Sequence, residues 1–546
     1  MKLLHPPSKV EDNFRQLTMV NGANPDTSTL RQFVEDNFSL ENQMEDFEPA
    51  DWKSHPKLIS RIQDLNYALL AQDLNSRWKT LCRKIKEEVA EQPERYMKIR
   101  LKIIFFMGSN VVFRYSLLYL PNPVIVPGGR FREVYYWDSY WIIRGLLQCE
   151  MYDTVKGMLL NFVHLIQQFG KIPNGGRNYY LNRSQPPLFI QMVHQYEQNT
   201  GDTEFVKTIL PEMVTEFLYW QNEHLVTFEK NGKRHSMVRY NCEDMGPRPE
   251  SYFEDYNLVR NFAEEKEDAK NEIYWELKTG AESGWDYSTR WFVSNGTNQG
   301  ELQDTKPRSI IPVDLNCFYA QNAQILAKYF TLFQNESEAQ KYNQIYEILN
   351  QSISEVLWDS EDGIWYDYDF LNSVSRRYFS PSNLTPLWTG NGNAAQENSA
   401  VEYLSQQNLD DFPGGVPTSF QHSGQQWDFP NCWPPLEHIL VQGLEKTGIA
   451  KAKEMAFEIA AKRVKGCYVN FSQKGHMFEK YDASQIHRIG SGGEYEVQLG
   501  FGWTNGVVLD FLDMYSSRLS TKEMSAKGNE TAPRTIDNKE NSSYHL

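Results

Sequence analysis

Cysteine is scarce in this chain: six residues in 546 (Cys82, Cys149, Cys242, Cys317, Cys432 and Cys467), all widely scattered. No CxxC pair occurs and no Cys/His cluster has zinc spacing, so a structural metal site is not indicated and buried free thiols are the expected state. Long apolar runs are also missing. The stretch MKIRLKIIFFMGSNVVFRY, Met97 to Tyr115, is too short and too charged to cross a bilayer, so no membrane span is expected. Like charges form no block. With 55 Lys and Arg against 71 Asp and Glu, the formal net charge is -16. Nucleic acid is a poor partner for such a chain, because phosphate contacts need clustered cations; a neutral or cationic substrate fits better. The glycine-rich GSGGEYEVQLGFG lacks the Lys-Ser/Thr that completes a phosphate loop. No G-x-S-x-G elbow supports serine hydrolase chemistry, and the eleven histidines form no cluster.

What is present is aromatic and helical. Hydrophobic residues make up 40% and Phe, Tyr and Trp 14%, enough to bury a sizeable core. In DTVKGMLLNFVHLIQQFG the apolar residues Val155, Met158, Leu159, Phe162, Val163, Ile166 and Phe169 fall on one helical face, with Asp153 placed to cap the start and Gly170 the end. IPVDLNCFYAQNAQILAKYFTLF repeats the pattern, and EKTGIAKAKEMAFEIAAKRV is rich in helix formers. Alternating strand patterns are short and rare. Many helices joined by loops dense in Gly, Pro, Trp and charge predict an all-α toroid whose loops gather at one mouth; two stacked helical domains are the alternative. Residues 1–40 read as an irregular N-terminal segment, 41–518 as the catalytic domain and 519–546 as a polar, solvated tail. Within the domain, residues 97–115 look inserted between two Arg-Tyr dipeptides. The first ten residues lack the apolar core of a signal peptide, yet nine N-x-S/T sequons occur. A cytoplasmic location for the chain as written, and a secreted one if its N-terminus is incomplete, both stay open.

The loops carry the chemistry. PGGRFREVYYWDSYW, residues 127–141, combines Gly128 and Gly129 with Arg130 and the pair Trp137-Asp138. Other loops repeat the mixture with Arg183 and Gln185, Arg248 and Glu250, and Trp427 and Asp428. A sugar asks for this combination. Its C–H faces stack on flat rings, and its hydroxyls take charged, forked partners. Hydrolysis of a glycosidic bond then needs two carboxyl groups, one protonated and one ionised. Asp286 lies between Trp285 and Tyr287, an apolar flank that favours the protonated form. Glu479 in MFEKYD and Glu494 in GSGGEY are both candidates for the second; the residues alone do not rank them.

Several of these blocks, in this order, resemble one family. PGGRFREVYYWDSYW and QWDFPNCWPP are similar to the two signature motifs of the trehalases, glycoside hydrolase family 37. IPNGGRNYYLNRSQPP, GPRPESY, ESGWDYSTRW, MFEKYD and GGEYEVQLGFGWTNG match its further blocks, and the resemblance spans roughly residues 45–515. It implies an (α/α)6 barrel and cofactor-free hydrolysis of α,α-trehalose to two glucoses with inversion. It makes Asp286 the general acid and Glu479 the general base, and moves Glu494 to substrate binding. The other binding positions it implies are Arg130, Trp137, Asp138, Asn174, Arg183, Ser184, Gln185, Arg248, Glu250 and Gly284. For inversion the two carboxyls stand roughly 6.5–9.5 Å apart. Cys432 departs from the family's usual small residue, and Asn182 is a sequon inside the pocket motif that is expected to be unmodified. The rival readings are another toroidal inverting glycosidase, of the glucoamylase kind, and a catalytically impaired sugar-binding protein. Nothing in the sequence fixes an oligomeric state.

Overall fold

The periodic stretch at 153–169 is a helix in the computed structural model, which describes residues 2–21, 26–39, 41–90, 116–262 and 267–522. It runs Tyr152–Phe169 and buries Val155, Met158, Leu159, Phe162, Val163 and Ile166. Gly170 ends it in the left-handed region at φ 73°, its N–H returning to Ile166 O. Asp153 is not the cap. Met151 holds that position, and Asp153 falls in the first turn, where its charge meets the positive end of the helix dipole.

In chain order the helices among the described residues are α1 (Pro7–Asn21), α2 (Thr27–Asn37), α3 (Lys57–Arg61), α4 (Leu65–Leu81), α5 (Asp138–Gln148), α6 (Tyr152–Phe169), α7 (Phe189–Thr200), α8 (Thr203–His224) and α9 (Tyr252–Phe262). They continue with α10 (Glu267–Glu282), α11 (Val313–Leu332), α12 (Glu336–Ser352), α13 (Thr385–Thr389), α14 (Ala394–Ser405), α15 (Pro434–Lys446), α16 (Ala450–Lys474) and α17 (Gly502–Met514). Six of them close a ring: α5 packs on α7, α7 on α11, α11 on α13, α13 on α15, α15 on α17, and α17 returns to α5. The alternate helices form an outer layer. α6 leans on α5 and α7, α8 on α7 and α11, α12 on α11, α16 on α15 and α17, and α4 on α17. α14, after the ring helix α13, packs on the strand Ile364–Trp365. This is an (α/α)6 toroid, with α9 and α10 inserted between α8 and α11.

The ring helix α17 is buried on every side from Gly502 to Leu512. The seam between α5 and α17 is tight enough to require glycine: a Cβ on Gly145 would lie 2.6 Å from the Gly506 Cα. One hydrophobic core runs from Met44 to Leu519 through the ring and its outer layer, with a small separate cluster of Val259 and Tyr274 joining α9 to α10, so the two-domain alternative falls. The sheets have two or three short strands each. Among the described residues no helix is long and apolar enough to cross a membrane.

Two boundaries differ from expectation. The N-terminal segment is not irregular: it carries α1 and α2, and Asp26 caps α2 by accepting the Ser28 and Thr29 N–H groups. At the other end the domain runs on past 518. Leu519 is buried, and Thr521 donates its N–H to the Asp64 carboxylate at 2.7 Å, at the start of α4. Residues 97–115 and 523–546, read as an insertion and a tail, lie outside the described residues.

Candidate active site

The segments that lead into α5, α7, α15 and α17, with the loop that follows α10, line one cavity of about 340 Å³. Ring helices therefore present N-termini toward it, and their partial positive charge favours carboxylates there. Asp138 is the first residue of α5 and Trp433 the N-cap of α15. The cavity gathers Arg130, Trp137, Asp138, Asn174, Arg183, Gln185, Arg248, Glu250, Gly284, Asp286, Glu479 and Glu494.

Ser184 is the exception. It is fully buried, its Oγ donating to Ile172 O at 2.7 Å and its N–H to Glu282 Oε1 at 3.0 Å. Arg183 is extended (φ -146°, ψ 165°), so its neighbour points to the opposite side, as alternate residues of extended chain do. Ser184 braces the wall from behind. Asp428, noted in its loop, also stays behind the wall: its carboxylate accepts Ser288 Oγ at 2.9 Å, Thr289 N at 2.8 Å and Ser419 Oγ at 2.7 Å, tying two loops together.

Three arginine–carboxylate pairs frame the cavity, one of them Arg177 Nε with Glu133 Oε1 at 3.2 Å. Arg183 donates through Nε to Asn174 Oδ1 at 2.8 Å and through Nη2 to Glu250 Oε1. Arg248 forks between Asp255 at 2.6 Å and Glu494 Oε1 at 2.7 Å, while Ser251 Oγ donates to Glu494 Oε2 at 2.8 Å. Arg183 Nη1 and Glu250 Oε2 are buried without partners. An unpaired donor beside an unpaired acceptor is what a sugar hydroxyl satisfies, since it can give one hydrogen bond and accept others. Arg130 is exposed at the rim, its guanidinium 4.9 Å from the centre of the Tyr495 ring.

Tryptophans supply the flat surface. Trp427 stacks on Trp433 at 3.8 Å between ring centres and 2° between planes, and Trp285 stacks on Trp427 at 5.1 Å. Trp137 meets Trp503 edge-on at 6.0 Å. Gly284 sits at φ +77°, where a Cβ would fall 2.7 Å from the Trp137 indole. Both the conformation and the space demand glycine there. Gly284→Ala is expected to lose about 1–3 kcal/mol of stability and to raise KM for the substrate by displacing Trp137; denaturant melts and initial rates measure the two effects.

Three carboxyls remain without an arginine partner, and their surroundings separate them. Burial, reinforced by the charge of Glu494, pushes Asp286 up to about 7. Burial and then the charge of Glu479 push Asp138 well above the usual carboxylate range. Burial also raises Glu479, but the Lys480 ammonium, the Tyr495 hydroxyl and the Gln498 backbone oppose it. Tyr495 donates to Glu479 Oε1 at 2.9 Å, whereas Glu479 Oε2 has no partner. Glu494 spends both oxygens on Arg248 and Ser251, so of the two glutamates Glu479 is the one with an oxygen that has no partner. Sequence reasoning passed over Tyr495, Lys480 and Gln426, although all three adjoin residues it named. Among the described residues no group of three His, Cys, Asp or Glu is arranged to hold a metal ion.

An (α/α)6 toroid whose open end carries arginine forks, stacked indoles and buried carboxyls defines a glycoside hydrolase. More particularly, the chain belongs to the trehalase family, whose profile matches residues 1–516. It is 44% identical to a trehalase of Apis mellifera over 528 residues, covering 96% of this chain and 81% of that protein. Against a trehalase of Homo sapiens the identity is 40% over 523 residues, covering 95% and 86%. Among solved structures, neutral trehalase Nth1 from Saccharomyces cerevisiae shares the fold with a TM-score of 0.60 and 23% identity, over 74% of this chain and 75% of that one.

Proposed function

We propose that this protein hydrolyses α,α-trehalose to two molecules of glucose with inversion, Asp286 acting as general acid and Glu479 as general base. The observation that carries the reading is the asymmetry of these two carboxyls in one cavity. Asp286 holds its proton near neutrality, and Glu479 offers one unclaimed oxygen, Oε2. Asp286 gives its proton to the oxygen bridging the two sugars as that C–O bond lengthens. Glu479 Oε2 takes a proton from a water, whose oxygen attacks the anomeric carbon from the opposite face. Arg183, Arg248, Arg130 and Asp138 orient the hydroxyls, which turns binding energy into alignment. Solvent returns a proton to Asp286 and removes one from Glu479. An impaired sugar-binding protein would have lost one of these carboxyls, and both stand in the cavity.

Proton NMR of purified protein with trehalose tests this from the first seconds of reaction. Equal early amounts of α- and β-glucose are expected, because inversion at one ring releases β-glucose and the leaving sugar departs as α. Only α-glucose would mean retention and would overturn the base assignment.

A further inference from the structure

Lys480 follows Glu479 in the chain and is fully buried, yet among the described residues no carboxylate lies within ion-pair distance of its ammonium. Its Nζ donates instead to Gln426 Oε1 at 2.7 Å and to Gly492 O at 3.1 Å. It also lies 5.2 Å from the Trp433 ring centre and 5.8 Å from that of Tyr495. Burying an ammonium against neutral acceptors is a poor way to gain stability. Gln426 completes a bridge, for its Nε2 donates to the main-chain oxygen of Asp286. Gln426 is itself anchored, its own carbonyl accepting Trp433 Nε1 and Asn431 Nδ2, each at 3.0 Å.

We infer that Lys480 is a positioning residue serving both carboxyls of the reaction: its ammonium supplies the positive charge beside Glu479, and through Gln426 it holds the main chain at Asp286. This rests on the reading of Glu479 as the base. The groups that face Glu479 are Tyr495 by hydrogen bond, Lys480 and Arg130 as cations, and Asp138 and Asp286 as acids. Of the opposing influences, Lys480 is the strongest that keeps Glu479 from rising further with burial. Burial draws Lys480 itself down to about 8, while Glu479 and Asp286 pull it back, so it stays charged through neutrality.

Lys480→Met removes the charge but keeps the bulk. The variant is expected to melt no lower than the wild type, to lose up to about 100-fold in kcat with KM nearly unchanged, and to move the acid limb of its kcat/KM profile upward by about one pH unit. The sign follows from the chemistry: without the cation Glu479 binds its proton more tightly and ionises only at higher pH. Gln426→Ala breaks the bridge alone and should lower kcat with the acid limb in place. A folded Lys480→Met with an unmoved limb overturns the inference. So does failure of both Lys480→Met and Lys480→Gln to fold, which would make Lys480 a structural lysine. Glu479→Gln, measured in parallel, separates the two levels: if it keeps turnover, the base assignment falls and the inference with it. If it is inactive while the limb in Lys480→Met stays put, the inference falls alone.

Discussion

Asp286→Asn is expected to lower turnover by about 10³–10⁴-fold while trehalose still raises the melting temperature of the variant. Asparagine has the size and neutrality of the protonated aspartate but no acidic proton. The bridging oxygen must then leave as an alkoxide, and the barrier rises by the whole contribution of the acid. Binding survives because the pairs Arg183–Glu250 and Arg248–Glu494 do not involve Asp286. The wild type should also lose activity as pH rises through about 7, where burial and the Glu494 charge place this group: above that pH Asp286 is ionised and has no proton to give. The variant should lack this basic limb. Glucose release at saturating trehalose and thermal melts with and without sugar check the two halves. Unchanged turnover would remove Asp286 from the acid's role, and loss of protection by trehalose would mean that its carboxyl binds the sugar.

Which of these features could be read from residues alone depends on how local their causes are. The buried face of α6 and its glycine cap follow from 3.6-residue periodicity and from a left-handed position that glycine fills at no cost. The start of the same helix was misplaced by two residues, because Met151 rather than Asp153 takes the half-extended position. α1 and α2 were hidden by polar composition. The signal was there in Asp26-Thr27-Ser28-Thr29, whose aspartate caps α2, and in the helical spacing of Val10, Phe14 and Leu17 and of Leu30, Phe33 and Val34, but the polar residues between them outweighed it. The hairpin Leu225–Lys230 with Lys233–Val238 was legible in principle too, since Asn231 and Gly232 both take the positive φ of a tight turn (53° and 73°). Ring closure was not legible. It depends on which faces of α5 and α17 meet, and glycines 145 and 506 give that only once the two helices are side by side. Within the site, residue type and spacing pointed to Arg130, Trp137, Asp138, Arg183, Gln185, Arg248, Glu250, Asp286, Glu479 and Glu494, and the family resemblance added Asn174, Ser184 and Gly284. Ser184 went astray because a motif match carries no face, whereas extended backbone alternates faces. The residues alone left Glu479 and Glu494 tied and the resemblance chose Glu479; the contact that sets them apart in the structure is to Arg248, which lies 246 positions from Glu494. No local pattern crosses that gap.

Glu479→Gln should be the second large loss, about 10²–10⁴-fold in kcat, with KM close to that of the wild type. The argument is one of elimination by geometry and charge. Five other carboxyls line the cavity. Glu133, Glu250 and Glu494 are paired with Arg177, Arg183 and Arg248, so taking a proton would cost each an ion pair. Asp286 is needed in its protonated form. Asp138 is held well above the usual range by burial and by the charge of Glu479 itself, which favours its protonated form. Glu479 is left with a free Oε2 and with Oε1 fixed by Tyr495 at 2.9 Å. Glutamine can keep the Tyr495 hydrogen bond through its carbonyl oxygen, so the side chain should stay in place while the basic oxygen is gone. The wild-type kcat/KM profile should fall on the acid side at a pH above the ordinary glutamate range, because burial raises this group against the opposition of Lys480. As pH drops through that value Glu479 gains a proton and cannot take another from water. The variant's residual rate should show no such limb, and Asp138 should relax downward once the neighbouring negative charge is removed. A variant that kept both its rate and its acid limb would assign the base to another group, with Asp138→Asn the next substitution to measure.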